Sequence, residues 1–257
     1  MTARLTVVIP TRADGRGLDR AIASVLGQGV DLAVVVVLDG TRATSSVDDE
    51  ALRDLVAAGH HVVAPGHQGR PGPLRNLGLA LSATPYVGFL DDDDVWAPTK
   101  AETQLAVLDA APEVVLVGSD ATVVLPSGPR GTYFDGTAPS VVRLREEIDT
   151  NWLITSSVIA RTRSLVRVGG FGLAPDMRFF DDYVAWLKLL TLGEGMMVQE
   201  ALVDYASGNQ ASLSASDPQA GRTVRRHALE HFLTDAADLD LVISRRDRRR
   251  IARHLRP

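Results

Sequence analysis

The 257-residue sequence has no cysteine. Disulfides, thiolate nucleophiles and Cys-ligated zinc are therefore excluded, as suits a reducing compartment. It also lacks an excess of positive charge. Its 27 Lys and Arg are outnumbered by 32 Asp and Glu, for a formal net charge of -5, which argues against a general nucleic-acid binder. No apolar run approaches the roughly 18 residues that a membrane span requires. The apolar stretch between Arg4 and Pro10 is too short for the core of a signal peptide. Two common phosphate-binding signatures are missing as well. The loop Gly66-His67-Gln68-Gly69-Arg70-Pro71-Gly72 is not followed by Gly-Lys-Ser/Thr, and no Gly-x-Gly-x-x-Gly follows the first apolar run. Asp91, Asp93 and Glu102 fall at positions one, three and twelve of a calcium-loop frame, but Trp96 stands where that loop requires glycine. These absences leave a soluble, cytoplasmic, globular chain of one large domain or two small ones. Such a chain can bury roughly 70–75% of its unfolded surface.

What is present is alternation. Leu5–Ile9 and Leu32–Leu38 are short apolar runs, stopped by Pro10 and by Asp39-Gly40. Uninterrupted Val-rich runs of this length predict strands buried on both faces, as in parallel sheets. Between them Leu18, Ile22, Val25 and Leu26 have helical spacing and end at Gly27. The pattern continues with a helix over Asp48–Ala58, a strand over His61–Ala64, a helix from Pro73 to about Leu81 and a strand over Tyr86–Leu90. A helix over Thr99–Asp109 and a strand over Glu113–Gly118 follow. Beyond that the reading is coarser. Pro126–Pro139 is a long loop or hairpin, Ile154–Ala160 a strand, Asp181–Leu192 a helix and Met196–Tyr205 a strand, with two helices after Pro218. The expected fold is α/β, with a Rossmann-like, mostly parallel sheet flanked by helices.

In open α/β sheets ligands bind at the carboxyl ends of the strands. Here those ends carry Pro10-Thr11-Arg12, Asp39-Gly40, a loop and helix start with Arg70, Arg75 and Asn76, and Asp91-Asp92-Asp93-Asp94. Acids, arginines and backbone-rich loops on one edge fit an anionic ligand carried with a divalent metal. On its own the four-aspartate cluster reads equally as a solvated acidic turn or as an oxygen-ligand site for a hard cation. Extended backbone would send Asp91 and Asp93 to one face, with Asp92 and Asp94 on the other.

Four segments occur in this order: Thr6-Val7-Val8-Ile9-Pro10-Thr11, Val37-Leu38-Asp39-Gly40, Arg75-Asn76-Leu77-Gly78-Leu79-Ala80 and Phe89-Leu90-Asp91-Asp92-Asp93-Asp94-Val95-Trp96. Ile154-Thr155-Ser156-Ser157-Val158, Val168-Gly169-Gly170-Phe171 and Phe180-Asp181-Asp182-Tyr183-Val184-Ala185-Trp186 follow them. The ordered set resembles glycosyltransferase family 2, over roughly residues 5 to 214. The resemblance implies a GT-A fold over 1–217, with a nucleotide-sugar half at 1–120, an acceptor and catalytic half at 121–217, and a helical extension at 218–257. It implies that Pro10, Thr11, Arg12, Asp39, Arg75, Asn76, Asp91 and Asp92 hold the donor. Asp39 would help hold the base, being suited to accept from a pyrimidine imide N–H. Asp93, with Asp91, would ligate Mn2+ or Mg2+. The acidic pair at the start of a helix maps onto Asp181 and Asp182, with Asp182 as the general base of an inverting transfer and Asp181 in place of the family's usual Glu. Helix N-terminal acids favoured by the macrodipole are the plainer reading of that pair. Implied partners are a nucleoside-diphosphate sugar with UDP, dTDP or GDP and an acceptor hydroxyl on a small molecule, glycan, lipid-linked group or peptide. An oligomer is compatible.

Two other readings stand beside this one. A nucleotidyltransferase making sugar nucleotides would carry a Gly-rich, Arg/Lys-bearing stretch after the first strand, which Pro10-Thr11-Arg12-Ala13-Asp14-Gly15 lacks. An inactive GT-A scaffold serving as a binding module is the third. Weaker signals are His227 and His231 at a zinc-compatible spacing, and an Arg-rich terminal segment, Arg245 to Arg256, suited to a solvated face or to peripheral membrane contact. Trp96, Trp152 and Trp186 could stack on sugars or fill the core. Tyr205–Ser214 resembles the mobile segment of the family.

Overall fold

The computed structural model describes residues 3–12, 17–40, 50–177, 180–207 and 218–256. In chain order the strands and helices are β1 (Leu5–Thr11), α1 (Leu18–Leu26), β2 (Leu32–Leu38), α2 (Glu50–Ala57), β3 (His61–Val63), α3 (Pro71–Leu81), β4 (Tyr86–Phe89) and β5 (Val95–Trp96). They continue as α4 (Lys100–Ala110), β6 (Val114–Leu125), β7 (Gly128–Thr132), β8 (Val141–Val142), α5 (Leu144–Asp149), β9 (Ile159–Arg161) and α6 (Thr162–Arg167). The chain closes with α7 (Asp181–Leu189), β10 (Glu194–Ala206), α8 (Pro218–Asp238) and α9 (Arg245–His254).

Among the described residues the strands form one ten-stranded sheet in the order β3-β2-β1-β4-β9-β6-β10-β5, with β7 on β6 and β8 on β10. β3, β2, β1 and β4 run parallel. β9 enters antiparallel between β4 and β6, which leaves β6 parallel to β4. The Val-rich runs behave as two-sided strands. Leu5, Val7, Ile9, Val34, Val36 and Leu38 join one core cluster, while Val8, Val35 and Val37 join the other. This is the period-2 alternation expected when both faces of a strand are covered. Helix α3 lies hard against β1. A Cβ at Gly78 would come within 2.2 Å of Val8 Cγ1, so only glycine lets the helix approach closely enough to deliver Arg75 to the sheet edge.

The mixed, mostly parallel sheet expected from sequence is what the chain builds, and its departures have local causes. Asp48 and Asp49, expected to open a helix, lie outside the described residues, and α2 is seen from Glu50. Pro126–Pro139 resolves as a hairpin, with β7 returning along β6 through Leu125 and Gly128. The strand expected over Ile154–Ala160 is half replaced by a 3-10 turn, Thr155–Ser157, before β9 begins. Ser and Thr hydroxyls that bond to nearby groups compete with a sheet ladder. β6 runs through residue 120, where the sequence division into halves falls. Helix α8 sends Ala228, Leu229 and Phe232 into the cluster that holds Val184 and Leu187 of α7. Trp96 and Trp186 are core residues, whereas Trp152 is half-buried. Among the described residues no helix is long and apolar enough to cross a membrane.

Candidate active site

A pocket of about 260 Å³ opens at the carboxyl edge of the sheet. Pro10, Thr11 and Arg12 line it from the end of β1, and Asp39 from the end of β2. Arg70, Pro71, Leu74 and Arg75 come from the start of α3, and Asp91, Asp92 and Asp93 from the turn after β4. Thr11 and Asp39 are joined through the backbone, since Asp39 N–H donates to the Thr11 carbonyl at 2.7 Å. The buried Asp39 carboxylate accepts the N–H groups of Gln68 at 2.5 Å and Gly69 at 3.0 Å, with His67 Nδ1 at 3.2 Å. It therefore folds the Gly66–Gly69 loop over itself, with Gln68 and His67 on Oδ1 and Gly69 alone on Oδ2. Arg70 turns away from this loop and donates to the carbonyls of Leu173 and Ala174.

The four aspartates do not continue the strand. β4 stops at Phe89, and Asp94 N–H returns to the Asp91 carbonyl at 3.1 Å. Alternation consequently does not govern the cluster, and the expected division is corrected. Asp91, Asp92 and Asp93 all face the pocket, and only Asp94 turns inward. Asp92 accepts from the Thr11 hydroxyl. Asp94 is buried and accepts from Ser156 Oγ at 2.5 Å and Ala206 N–H at 2.8 Å. Burial, then the neighbouring Asp91 charge, holds the Asp94 carboxyl well above the usual range. Asp93 is pushed up to about 6 by burial and by the charges of Asp91 and Asp92. The turn is pressed from behind by α1. A Cβ on Gly17 would lie 2.3 Å from the Asp92 carbonyl oxygen and 2.8 Å from Asp93 Cα.

Arg75 ties this turn to the second half of the site. Its guanidinium is buried and donates to Asp91 Oδ1 at 2.6 Å and Asp181 Oδ2 at 3.2 Å, over the Phe171 ring at 5.5 Å. Burial opposes its charge, but Asp91, Asp181 and Asp182 together hold its pKa above the ordinary arginine value. Its Nε has no acceptor among the described residues. Asn76, expected on the donor, is absent from the pocket wall. Its amide donates to the Phe171 carbonyl and accepts from Phe171 N–H, both at 2.8 Å, which pins the Gly170–Phe171 turn to α3.

The two acids at the start of α7 differ in kind. Asp181 is buried on Arg75, and its carboxyl is pushed up to about 7. Burial raises it, Arg75 pulls it down, and Asp182 raises it again. Asp182 is half-buried and accepts from the Thr155 hydroxyl at 2.5 Å and from Tyr183 N–H at 2.7 Å. Thr155 and Ser156 belong to the 3-10 turn. Ser156 Oγ also accepts Asp91 N–H at 3.1 Å, and its carbonyl accepts Trp96 Nε1 at 2.8 Å. That one turn thus sets both the acidic cluster and Asp182. In the sequence Thr155 and Ser156 stand within the Ile154–Val158 motif with no role attached, and nothing marks Gly17. A run of small hydroxyl residues between two apolar segments was the available signal.

The donor set suits a hard divalent cation: carboxylate oxygens, with Asp93 crowded by two like charges. Among the described residues no three acidic or histidine side chains converge on one coordinating point. An ion held by Asp91 and Asp93 would fill its remaining positions from a phosphate-bearing ligand and water, as Mg2+ characteristically does.

Residues 6–151, more than half of the chain, match the profile of Glycosyl transferase family 2. An uncharacterized glycosyltransferase of Nostoc sp. is 30% identical over 128 residues, 47% of this chain and 39% of the relative. A pre-mycofactocin glycosyltransferase of Mycobacterium tuberculosis is 40% identical over 91 residues, 35% of this chain and 17% of the relative. The chain therefore spans well under half the length of these curated relatives. Among solved structures, residues 1–349 of S. aureus TarS superpose with a TM-score of 0.71 at 18% identity, covering 98% of this chain and 70% of that one. Complexes of that protein with UDP and UDP-GlcNAc superpose as well. The mannosyltransferase PcManGT of Pyrobaculum calidifontis, in complex with GDP-Man and Mn2+, gives 0.61 at 20% identity over 98% of this chain and 68% of that one. At such identities the structural likeness is one of fold, and the fold is of the GT-A type. On the match over residues 6–151, the chain belongs to glycosyl transferase family 2.

Proposed function

We propose that the chain transfers a sugar from a nucleoside-diphosphate sugar to an acceptor hydroxyl, with inversion. The observation that carries this is the buried Arg75 bridge, which sets the acidic turn of the pocket beside Asp181 and Asp182. A metal-diphosphate site and a proton acceptor are the two parts such a transfer needs, and Arg75 links Asp91, proposed for the first, to Asp181, the neighbour of the acid proposed for the second. The family match, and the nucleotide-sugar complexes of TarS and PcManGT, support the donor class.

In this reading Thr11, Arg12 and Asp39 receive the nucleoside end of the donor. Asp91 and Asp93 hold Mn2+ or Mg2+, which when bound supplies positive charge against the diphosphate. Asp182 takes the proton of the acceptor hydroxyl through its carboxylate, whose Oδ2 accepts from Thr155 and whose Oδ1 accepts from Tyr183 N–H. The acceptor oxygen forms its bond to the anomeric carbon. The bond from that carbon to the diphosphate breaks, and the nucleoside diphosphate leaves with the electron pair. Asp181 acts through Arg75 as a positioning residue, since its carboxylate is buried on the guanidinium.

A thermal-shift panel tests this directly. UDP, GDP, dTDP and their sugar conjugates are added with and without Mn2+, because a ligand that binds the native state raises its melting temperature. The expected result is a metal-dependent shift for one base, lost in Asp93→Asn. No shift with any nucleotide contradicts the proposal, and release of pyrophosphate from a nucleoside triphosphate replaces it with nucleotidyl transfer.

A further inference from the structure

A row of aromatic side chains lies within electrostatic reach of Asp182. Tyr133 packs edge-on against Phe134 (centroids 4.9 Å apart) and against Tyr205 (5.6 Å), and Phe134 packs against Trp152 (5.4 Å). Phe134 is buried, Trp152 and Tyr205 are half-buried, and Tyr133 is 40% exposed. The row thus has a buried back and an accessible rim. Its ends are fixed by two buried acids, Asp94 and Glu147. Ala206, next to Tyr205, donates its N–H to Asp94. Trp152 donates its N–H to the fully buried Glu147 at 3.0 Å, three residues before the Thr155 that holds Asp182.

Its middle is fixed by Asp120 of β6. This buried carboxylate directs one oxygen, Oδ1, at the N–H groups of Ala121 (2.7 Å), Tyr133 (3.1 Å) and Phe134 (3.1 Å). It has no ion pair among the described residues. A buried carboxylate satisfied only by backbone N–H groups holds those groups firmly, and here they belong to the two residues at the centre of the row.

The electrostatic surroundings of the row select among ligands. Apart from burial, Asp182 raises the pKa of Tyr133, and Tyr133, Asp94, Asp91 and Asp182 raise that of Tyr205. The cation–π contacts among the described residues lie elsewhere, on Phe171, Trp96 and Tyr86. A phosphate or phospholipid acceptor would meet the negative charges of Asp182, Asp94 and Asp91 here. A neutral pyranose presents C–H groups of positive character to the negative face of an aromatic ring, and its hydroxyls pair with tyrosine O–H and indole N–H groups. None of the four aromatic residues lines the donor pocket.

We propose that Tyr133, Tyr205 and Trp152 form an acceptor subsite for a neutral pyranose ring, so that the acceptor is a carbohydrate hydroxyl, and that Asp120 is the positioning residue that holds this row beside Asp182. The inference rests on the sugar-transfer reading above.

Saturation-transfer NMR on the whole chain, with UDP or GDP and Mg2+ present, tests it with a set of neutral mono- and disaccharides and with octyl phosphate. The expected result is transfer to at least one neutral sugar and none to octyl phosphate. Sugar affinity should fall about tenfold in Tyr133→Ala and survive in Tyr133→Phe. Asp120→Ala should weaken the sugar and leave the nucleotide melting shift unchanged, with Asp120→Asn restoring sugar binding because its amide oxygen still accepts the three N–H groups. Binding of octyl phosphate alone, silence with every sugar, or sugar binding indifferent to Tyr133→Ala overturns the subsite. A missing nucleotide shift in the same samples overturns the sugar-transfer reading instead, so the two failures are distinct.

Discussion

The two sides of the site are built differently. On the side proposed to take the donor, three of the lining segments stand at or just after the ends of strands. Thr11 ends β1, Asp39 follows β2, and the acidic turn follows β4, all on neighbouring parallel strands. On the side proposed to take the acceptor, position comes from bonds between distant parts of the chain. Thr155 reaches Asp182, Ser156 reaches Asp94, and Asp120 reaches Tyr133 and Phe134. Parallel strand ends deliver side chains to one edge by topology alone, whereas the mixed half needs each contact specified. Arg75 is the residue the two halves share.

The largest effect is expected from breaking that junction. Arg75→Met leaves Asp91 and the buried Asp181 without their cation and should cost about 3–5 kcal/mol, read by denaturant unfolding. Adding Asp181→Asn should recover part of the loss, and independent, additive costs would contradict a shared bridge.

Gly17→Ala strikes the donor side alone. Its new methyl meets the backbone of Asp92 and Asp93, so about 1–3 kcal/mol of stability should go. The metal-dependent nucleotide shift should weaken with it. A wild-type nucleotide shift in this variant would show that the turn does not need α1 behind it.

How far each side could be read from sequence follows from the same contrast. Val-rich runs and terminal Gly residues are local signals, and β2 and α1 occupy the spans that those signals predict. Asp39, Arg75 and Asp91 were legible as strand-end and helix-start residues. The facing of the four aspartates was not, because a turn in place of extended backbone is decided by Ser156 and Gly17, far away in the chain. Asn76 matched a motif, but its amide serves Phe171, across 95 residues of sequence. Asp120 and Glu147 carried no sequence signal, since a buried acid satisfied by backbone N–H groups looks like any other acid. Residues 208–217, which include most of the segment expected to be mobile, lie outside the described residues.

A smaller effect separates the paired acids by pH. The Asp181 carboxyl keeps its proton to about pH 7 when folded, against an ordinary value of 3.8. Between those values the folded state binds more protons than the unfolded one, so stability falls as pH rises through this window. Asp181→Asn should make that slope shallower by up to about 1.4 kcal/mol per pH unit. Asp93, Asp94 and Glu147, whose carboxyls are also raised, keep it from vanishing. An unchanged slope would mean that Asp181 titrates normally.

The smallest effect lies away from the site. Arg4 and Asp109 form an exposed pair at 2.7 Å, and Asp109→Asn should change stability by less than about 1 kcal/mol with no change in nucleotide binding.

The central claim is that the halves have separate duties, donor binding on one side and proton removal by Asp182 on the other. Asp182→Asn tests it most directly when nucleotide binding and release of nucleoside diphosphate from the donor are measured on the same sample. The predicted result is an unchanged metal-dependent melting shift, with release slowed by about 10²–10⁴-fold. Release at a near-normal rate would contradict the assignment of Asp182 as the base.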